Sequence, residues 1–198
     1  MLDWLKHINK DTPEFWKEYL SKFNKKSKRY VVLSTETTGT SILKDVILSI
    51  SSFAVVDDSI HIGDSYEAVL LQYRFFHDNH LSNEFIVKST MHKLGEPDAI
   101  KMFVEYIGNA VLVGHHVDFD VEMINAALER QDCGRLKNDA LDIDIMYRKL
   151  NDITDKEFSL EELAEIHKLP KSDSNTSSDD AYKIALLFLK LKSKLGLK

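Results

Sequence analysis

The chain has 198 residues, 43% of them hydrophobic and 29% charged, the proportions of a globular protein able to bury one substantial core. Its formal net charge of −6 excludes a protein held on nucleic acid by bulk positive charge, though not an enzyme that grips a few nucleotides. The single cysteine, Cys133, excludes an internal disulfide and a multi-cysteine zinc site. No apolar run approaches the ~18 residues of a membrane span. Met1-Leu2-Asp3-Trp4 lacks the basic-then-apolar pattern of a secretory signal, so a cytoplasmic location with no membrane partner is expected.

The first elements, over residues 1–28, are expected to be two short helices forming an N-terminal extension outside the core sheet. Leu2, Trp4, Leu5 and Ile8 recur at helical spacing. Thr12-Pro13-Glu14 reads as a helix start, with Thr12 as the cap and proline in the first turn. Phe15, Trp16, Tyr19, Leu20 and Phe23 then form an apolar stripe that either packs on the domain or meets a protein partner. The basic cluster Lys25, Lys26, Lys28 and Arg29 is either solvated or in reach of a phosphate.

Residues 29–198 read as one domain. Val31-Val32-Leu33 is a strand buried on both faces, and Ser34-Thr35-Glu36-Thr37-Thr38-Gly39 turns it away from the sheet. Ser34 and Glu36 lie two apart, so an extended backbone points both to one face. Long strands follow over Val46–Val56 and Ile60–Leu71, joined by the turn Asp57-Asp58-Ser59, as in an antiparallel meander. Tyr73 to Glu96, with Phe75, Phe76, His77 and His80, reads as irregular with some helix.

From Pro97 onward, helix and strand alternate. A helix through Ile107 precedes the strand Val111-Leu112-Val113-Gly114. A helix from Asp118 to Arg130 precedes the brief strand Ala140-Leu141-Asp142-Ile143, and a helix through Tyr147 follows. Ser159-Leu160-Glu161-Glu162 fits a capping box, and a last helix starts at Asp179. Strands first, then alternating helix and strand, gives an α/β fold with a mixed sheet flanked by helices.

Three acidic points fall at element ends. Glu36 ends the first strand, Asp120 starts one helix, and Asp180 starts the last. Carboxylates converging without cysteine suit a hard cation, Mg²⁺ or Mn²⁺. Asp118 and Asp179 lie beside two of them, and acidic residues at helix starts are favoured there without any catalytic role. Cys133 reads as a structural thiol.

With these residues in place, the chain resembles the DnaQ-like (DEDDh) 3′–5′ exonucleases, the family of the proofreading subunit of bacterial DNA polymerase III. The family's first motif is a strand ending D-x-E-T-T-G, matched by Ser34 to Gly39. Its second is a G-H-N-like turn leading to F-D, matched by Gly114 to Asp120. Its third is a histidine, four residues and D-A, matched by Asn175 to Ala181. The resemblance covers Arg29 to Leu195 and implies a ribonuclease H-like fold. It also implies metal-dependent phosphodiester hydrolysis at the 3′ end of a single-stranded nucleic acid.

Within that resemblance, Glu36, Asp120 and Asp180 match the family's remaining carboxylates, as catalytic residues and metal ligands. Thr37, Thr38, His115, His116 and Phe119 are the implied nucleic-acid contacts. Ser34 stands where the family carries the aspartate that bridges both metals. Asn175 stands where it carries the histidine that acts as general base, and His116 where asparagine is usual. A serine hydroxyl is a poor substitute for a bridging carboxylate, and asparagine cannot accept a proton near neutral pH. The expectation is therefore an exonuclease-family protein with a degraded catalytic centre and one weakened Mg²⁺ or Mn²⁺ site, held mainly by Glu36 and Asp180. The alternative is a non-catalytic module that binds nucleic acid or protein.

Overall fold

The structure, a computed structural model, describes residues 12–72, 91–171 and 176–197. The helix expected around Leu2, Trp4, Leu5 and Ile8, and the stretch with Phe75, Phe76, His77 and His80, lie outside the described residues.

Six strands form one sheet: β1 Tyr30–Thr37, β2 Ile47–Val56, β3 Ser59–Leu71, β4 His92–Gly95, β5 Val111–Gly114 and β6 Ala140–Asp142. Their order is β4-β3-β2-β1-β5-β6. The expected meander is present, since β1 with β2 and β2 with β3 pair antiparallel. The pairs β1 with β5, β5 with β6 and β3 with β4 are parallel, so the sheet is mixed as expected. β4 corrects the reading of that region as irregular. His92-Lys93-Leu94-Gly95 has neither alternation nor β-branched residues, and only its pairing with Ala68 to Leu71 makes it a strand.

The helices are α1 Glu14–Ser21, α2 Glu96–Ile107, α3 Val117–Glu129, α4 Ile143–Leu150, α5 Leu160–Ile166 and α6 Ser177–Leu195. They cover both faces of the sheet. Alternation along β1 decides which residues meet which layer. Val31 and Leu33 join a core with Phe103 and Val104 of α2 and Met123 and Ile124 of α3. Val32, one step out of phase, joins a second core with Ile143 of α4, Leu163 of α5 and Ile184, Leu187 and Phe188 of α6. The sheet is thus the middle of three layers.

α1 contributes to the first core. Trp16 and Tyr19 are buried and stacked on each other, with Phe15, Leu20 and Phe23 packed beside them. The Tyr19 hydroxyl donates to Asn138 at 2.7 Å and accepts from Lys137 N–H at 2.7 Å. Pro13, not Thr12, takes the cap position of α1, and its carbonyl accepts from Trp16 and Lys17. The capping box at Ser159 and Glu162 forms as the sequence indicates. α6 begins at Ser177, two residues before the expected Asp179, because Thr176 caps it through Asp179 N–H.

Candidate active site

The site is built at the end of β1. The pairing of β1 with β5 runs only from Tyr30 to Val32, whereas β1 continues to Thr37. Residues 34–37 therefore project past β5 with one edge open to the starts of α3 and α6. The expected alternation holds. In the β1–β2 register Ser34 faces Ser51 and Glu36 faces Ser49, all four on the α6 side, while Thr35 pairs with Ile50 on the α2–α3 side.

On the α6 side, Glu36 Oε1 accepts the Ser177 N–H at 2.8 Å. This is an orphan donor at the helix start, to which a carboxylate is well suited. Beneath it the Ser177 hydroxyl bonds Ser49 and Ser51 at 2.8 and 2.9 Å, all three buried. The Ser178 hydroxyl donates to Glu67 at 2.5 Å. Burial pushes the Glu36 carboxyl above its usual range and Asp180 adds to this, against the Ser177 N–H and the Ser49 hydroxyl. Asp180 sits in the first turn of α6 and accepts from Lys183 Nζ at 3.0 Å.

On the opposite side, Asp120 lies on the inward stripe of α3 with Val117, Ile124 and Leu128. It is 7% exposed. Its Oδ1 accepts the Thr35 hydroxyl at 2.5 Å. Burial pushes its carboxyl up to about 7, although both Thr35 hydrogen bonds oppose this. Asp142 places the start of α3, since it accepts Val117 N–H at 3.0 Å while capping α4 through Asp144 and Ile145.

The turn between β5 and α3 is tight. A Cβ at Gly114 would come 3.0 Å from the Val117 side chain. His116 has φ 54° and ψ 42°, the left-handed region. Asparagine adopts that region more readily than most residues, so the backbone shape fits the family's preference at this position. His115 Nε2 lies 2.7 Å from the Phe158 carbonyl oxygen, which fixes its ring against the α4–α5 connection.

A cleft of about 530 Å³ brings together Ser34, Thr35, His115, His116, Phe119, Asp120 and Asp180, with residues 157–161 as its far wall. Glu36, Thr37 and Thr38 are not among its lining residues. The Thr37 hydroxyl closes the following turn on Gly39 and the Thr38 hydroxyl binds Asp45, both at 2.7 Å. Asp118 is exposed, and Asp179 accepts from the Thr176 hydroxyl at 2.6 Å, so both serve helix starts. Asn175 lies outside the described residues.

Several contributors escaped the sequence reading: Thr35, Ser49, Ser51, Ser177, Asp142, Phe158 and Lys183. Ser49 and Ser51 carried a signal, being two polar residues two apart on one face of a largely apolar strand.

The metal ligands named from sequence do not assemble as a cage. Among the described residues, no group of three or more His, Cys, Asp or Glu side chains could hold a metal ion. Asp120 and Asp180 line one cleft, whereas Glu36 lies outside its lining and is held by the start of α6. Each carboxylate is already engaged: Glu36 by an N–H, Asp120 by a hydroxyl and Asp180 by an ammonium. As arranged, these residues do not fit a pair of divalent ions.

A mixed sheet in this order, flanked by helices and carrying carboxylates at the end of its first strand, defines a ribonuclease H-like α/β protein. Escherichia coli exonuclease I in complex with a dT13 oligonucleotide has a similar structure, with TM-score 0.66, 16% identity, and coverage of 86% of this chain and 42% of that one. Exonuclease X in complex with 5′ overhanging duplex DNA gives TM-score 0.60 and 18% identity, over 85% of this chain and 94% of that one. In sequence, a DNA polymerase III PolC-type of Latilactobacillus sakei is 28% identical over 167 residues, 84% of this chain and 11% of the relative. The 3′-5′ exonuclease DinG of Staphylococcus haemolyticus is 35% identical over 80 residues, 40% of this chain and 9% of the relative. This chain spans about a tenth of the length of these curated relatives. No family model matches. The resemblance of the chain to the DnaQ-like 3′–5′ exonucleases is thus supported in sequence by these relatives and in fold by these neighbours.

Proposed function

We propose that this chain binds the 3′ end of a single-stranded nucleic acid in the cleft between β1, α3 and residues 157–161, and that its hydrolytic centre is impaired. The observation that carries the reading is Ser34. It faces the α6 layer beside Glu36, where the resemblance calls for a carboxylate, and a neutral hydroxyl cannot share two cations. Asn175 adds to this through its chemistry alone. Loss of a positioned base typically costs ~10²–10⁴ in rate, and loss of a bridging ligand removes the ion that would supply the nucleophile.

An oligonucleotide-bound neighbour and relatives among DNA polymerases support the substrate class. The oxygen-only donor set favours Mg²⁺ or Mn²⁺ at a single weak position near Glu36 and Asp180. A cytoplasmic location accompanies this reading, since nucleic-acid 3′ ends are met there. A protein partner at the N-terminal segment would have to use residues other than the α1 stripe, which is packed on the core.

The test measures nucleotide release from a 3′-labelled single strand in Mg²⁺ and Mn²⁺, beside binding to the same strand and a Glu36→Ala control. Binding with release at least about 10²-fold below that of an active family enzyme is expected. Release at family rates, abolished by Glu36→Ala, would overturn the impaired-centre reading. Absence of binding would overturn the substrate reading.

A further inference from the structure

The ion pair at Asp180 differs from two surface lysine–carboxylate pairs at the neighbouring helix, and its lysine is covered nearly as well as Lys192, which meets the largely exposed Asp58 at the far end of α6. Lys156 with Glu162 leaves both side chains about half exposed, at 53% and 46%, and Lys171 with Glu165 leaves 87% and 71%. Pairs of that kind hold little energy and exchange freely with solvent ions. Lys183 is 13% exposed and Asp180 34%, with Nζ 3.0 Å from Oδ1. Lys183 also lines an adjoining cleft with Ala164, Leu169 and Pro170. A lysine covered to this extent has surrendered most of its hydration and rotamer freedom, and the carboxylate beside it supplies the compensating charge.

The same carboxylate is the one on which a divalent ion would depend. Asp120 lines the same cleft but is engaged by Thr35, and Ser34 brings no charge. Of the acids on the α6 side, Glu36 is bound to the Ser177 N–H, Glu67 to the Ser178 hydroxyl and Asp179 to the Thr176 hydroxyl, and Asp180 carries Lys183.

We infer that Lys183 is a built-in counter-cation of this site: its ammonium holds the charge at Asp180 that a divalent ion would otherwise hold, so Mg²⁺ or Mn²⁺ loads only by displacing it. This rests on the reading of Glu36 and Asp180 as the cation position. It adds that metal affinity is set by a residue outside the exonuclease motifs. Two cations a few ångströms apart in a half-buried place repel strongly, so removing one should be felt as a large gain in affinity for the other.

Mn²⁺ binding to the full chain without nucleic acid tests this, with free Mn²⁺ followed by electron paramagnetic resonance. Lys183→Met is expected to bind Mn²⁺ at least about tenfold more tightly than the wild type, and Lys183→Arg to stay close to the wild type. Adding Asp180→Asn to Lys183→Met should abolish the gain. Thermal melts by circular dichroism establish that each variant is folded, and Lys183→Gln replaces Lys183→Met should the latter not fold. Equal Mn²⁺ affinity in wild type and Lys183→Met would overturn the inference, as would a gain that survives Asp180→Asn. Neither result depends on nucleic-acid binding or release, so failure here is separable from failure of the proposed function.

Discussion

The starts of α3 and α6 present the same sequence device, an aspartate in the first turn of a helix beside β1, and put it to different physical states. Asp120 is buried and tied to a neutral hydroxyl, and its carboxyl is pushed up to about 7. Asp180 is a third exposed and meets an ammonium. Burial disfavours a carboxylate's charge, whereas an opposite charge favours it. One helix start therefore restrains its negative charge through desolvation, and the other balances it with a cation from the same helix. Position along an element is enough to identify a candidate acid, but its surroundings depend on how deeply it is buried and on which side chain reaches it.

The largest expected effect comes from restoring the two residues that depart from the exonuclease motifs. Ser34→Asp with Asn175→His should raise 3′–5′ nucleotide release by about 10²-fold or more, with each single change recovering little because both act on one step. Release from a 3′-labelled strand measures this. A folded, metal-binding double variant that remains inert would show that the contrast between the two helix starts is not where activity was lost.

The α3 side is sharpened by Asp120→Asn. Folding raises the Asp120 pKa from 3.8 to about 7, so the unfolded chain gives up this proton first as pH rises. The stability of the wild type linked to this group is fully present below 3.8 and is lost as pH rises through about 7. The amide keeps an acceptor for Thr35 without the buried charge. Asp120→Asn should therefore raise the melting temperature by about 5 °C at pH 8, and the advantage should shrink towards pH 4. A variant that melts below the wild type at pH 8 would place the cost of the site elsewhere.

A smaller effect separates hydroxyl packing from charge on the α6 side. Ser177→Ala leaves Ser49 and Ser51, side by side on one face of β2, without their shared partner while keeping the N–H that binds Glu36, and should cost about 1–2 kcal/mol. Replacing all three serines by alanine should cost less than the sum of the single changes, because no buried hydroxyl is then stranded. Urea denaturation of the singles and the triple gives the coupling.

These contrasts also mark what could be read in advance. β1, the meander and the capping box at Ser159 follow from period, turn residues and spacing, which are local properties of the chain. Glu36, Asp120 and Asp180 stood out as candidates because each falls where an element begins or ends. Thr35 was passed over because it points to the opposite face from Ser34 and Glu36, and only the approach of α3 gives its hydroxyl a partner. Thr37 and Thr38 were taken for substrate contacts, yet their hydroxyls close the turn after β1. Lys183 lies three residues after Asp180, a spacing that brings helical side chains together. Its burial, which gives the pair its weight, depends on the chain around α5. β4 owes its form to β3, a partner its own residues do not reveal.

Asp142 ties these two halves of the domain together in time as well as in space. One carboxylate accepts the N–H groups of Val117, Asp144 and Ile145, and so closes the first turns of both α3 and α4. Opening either turn leaves that acceptor short of a donor, which raises the cost of the first opening and lowers the cost of the second. The three amides should accordingly exchange with deuterium as a single cooperative unit, with one common protection factor, rather than fraying as two independent helix ends. Asp142→Ala should split that unit and speed the exchange of all three.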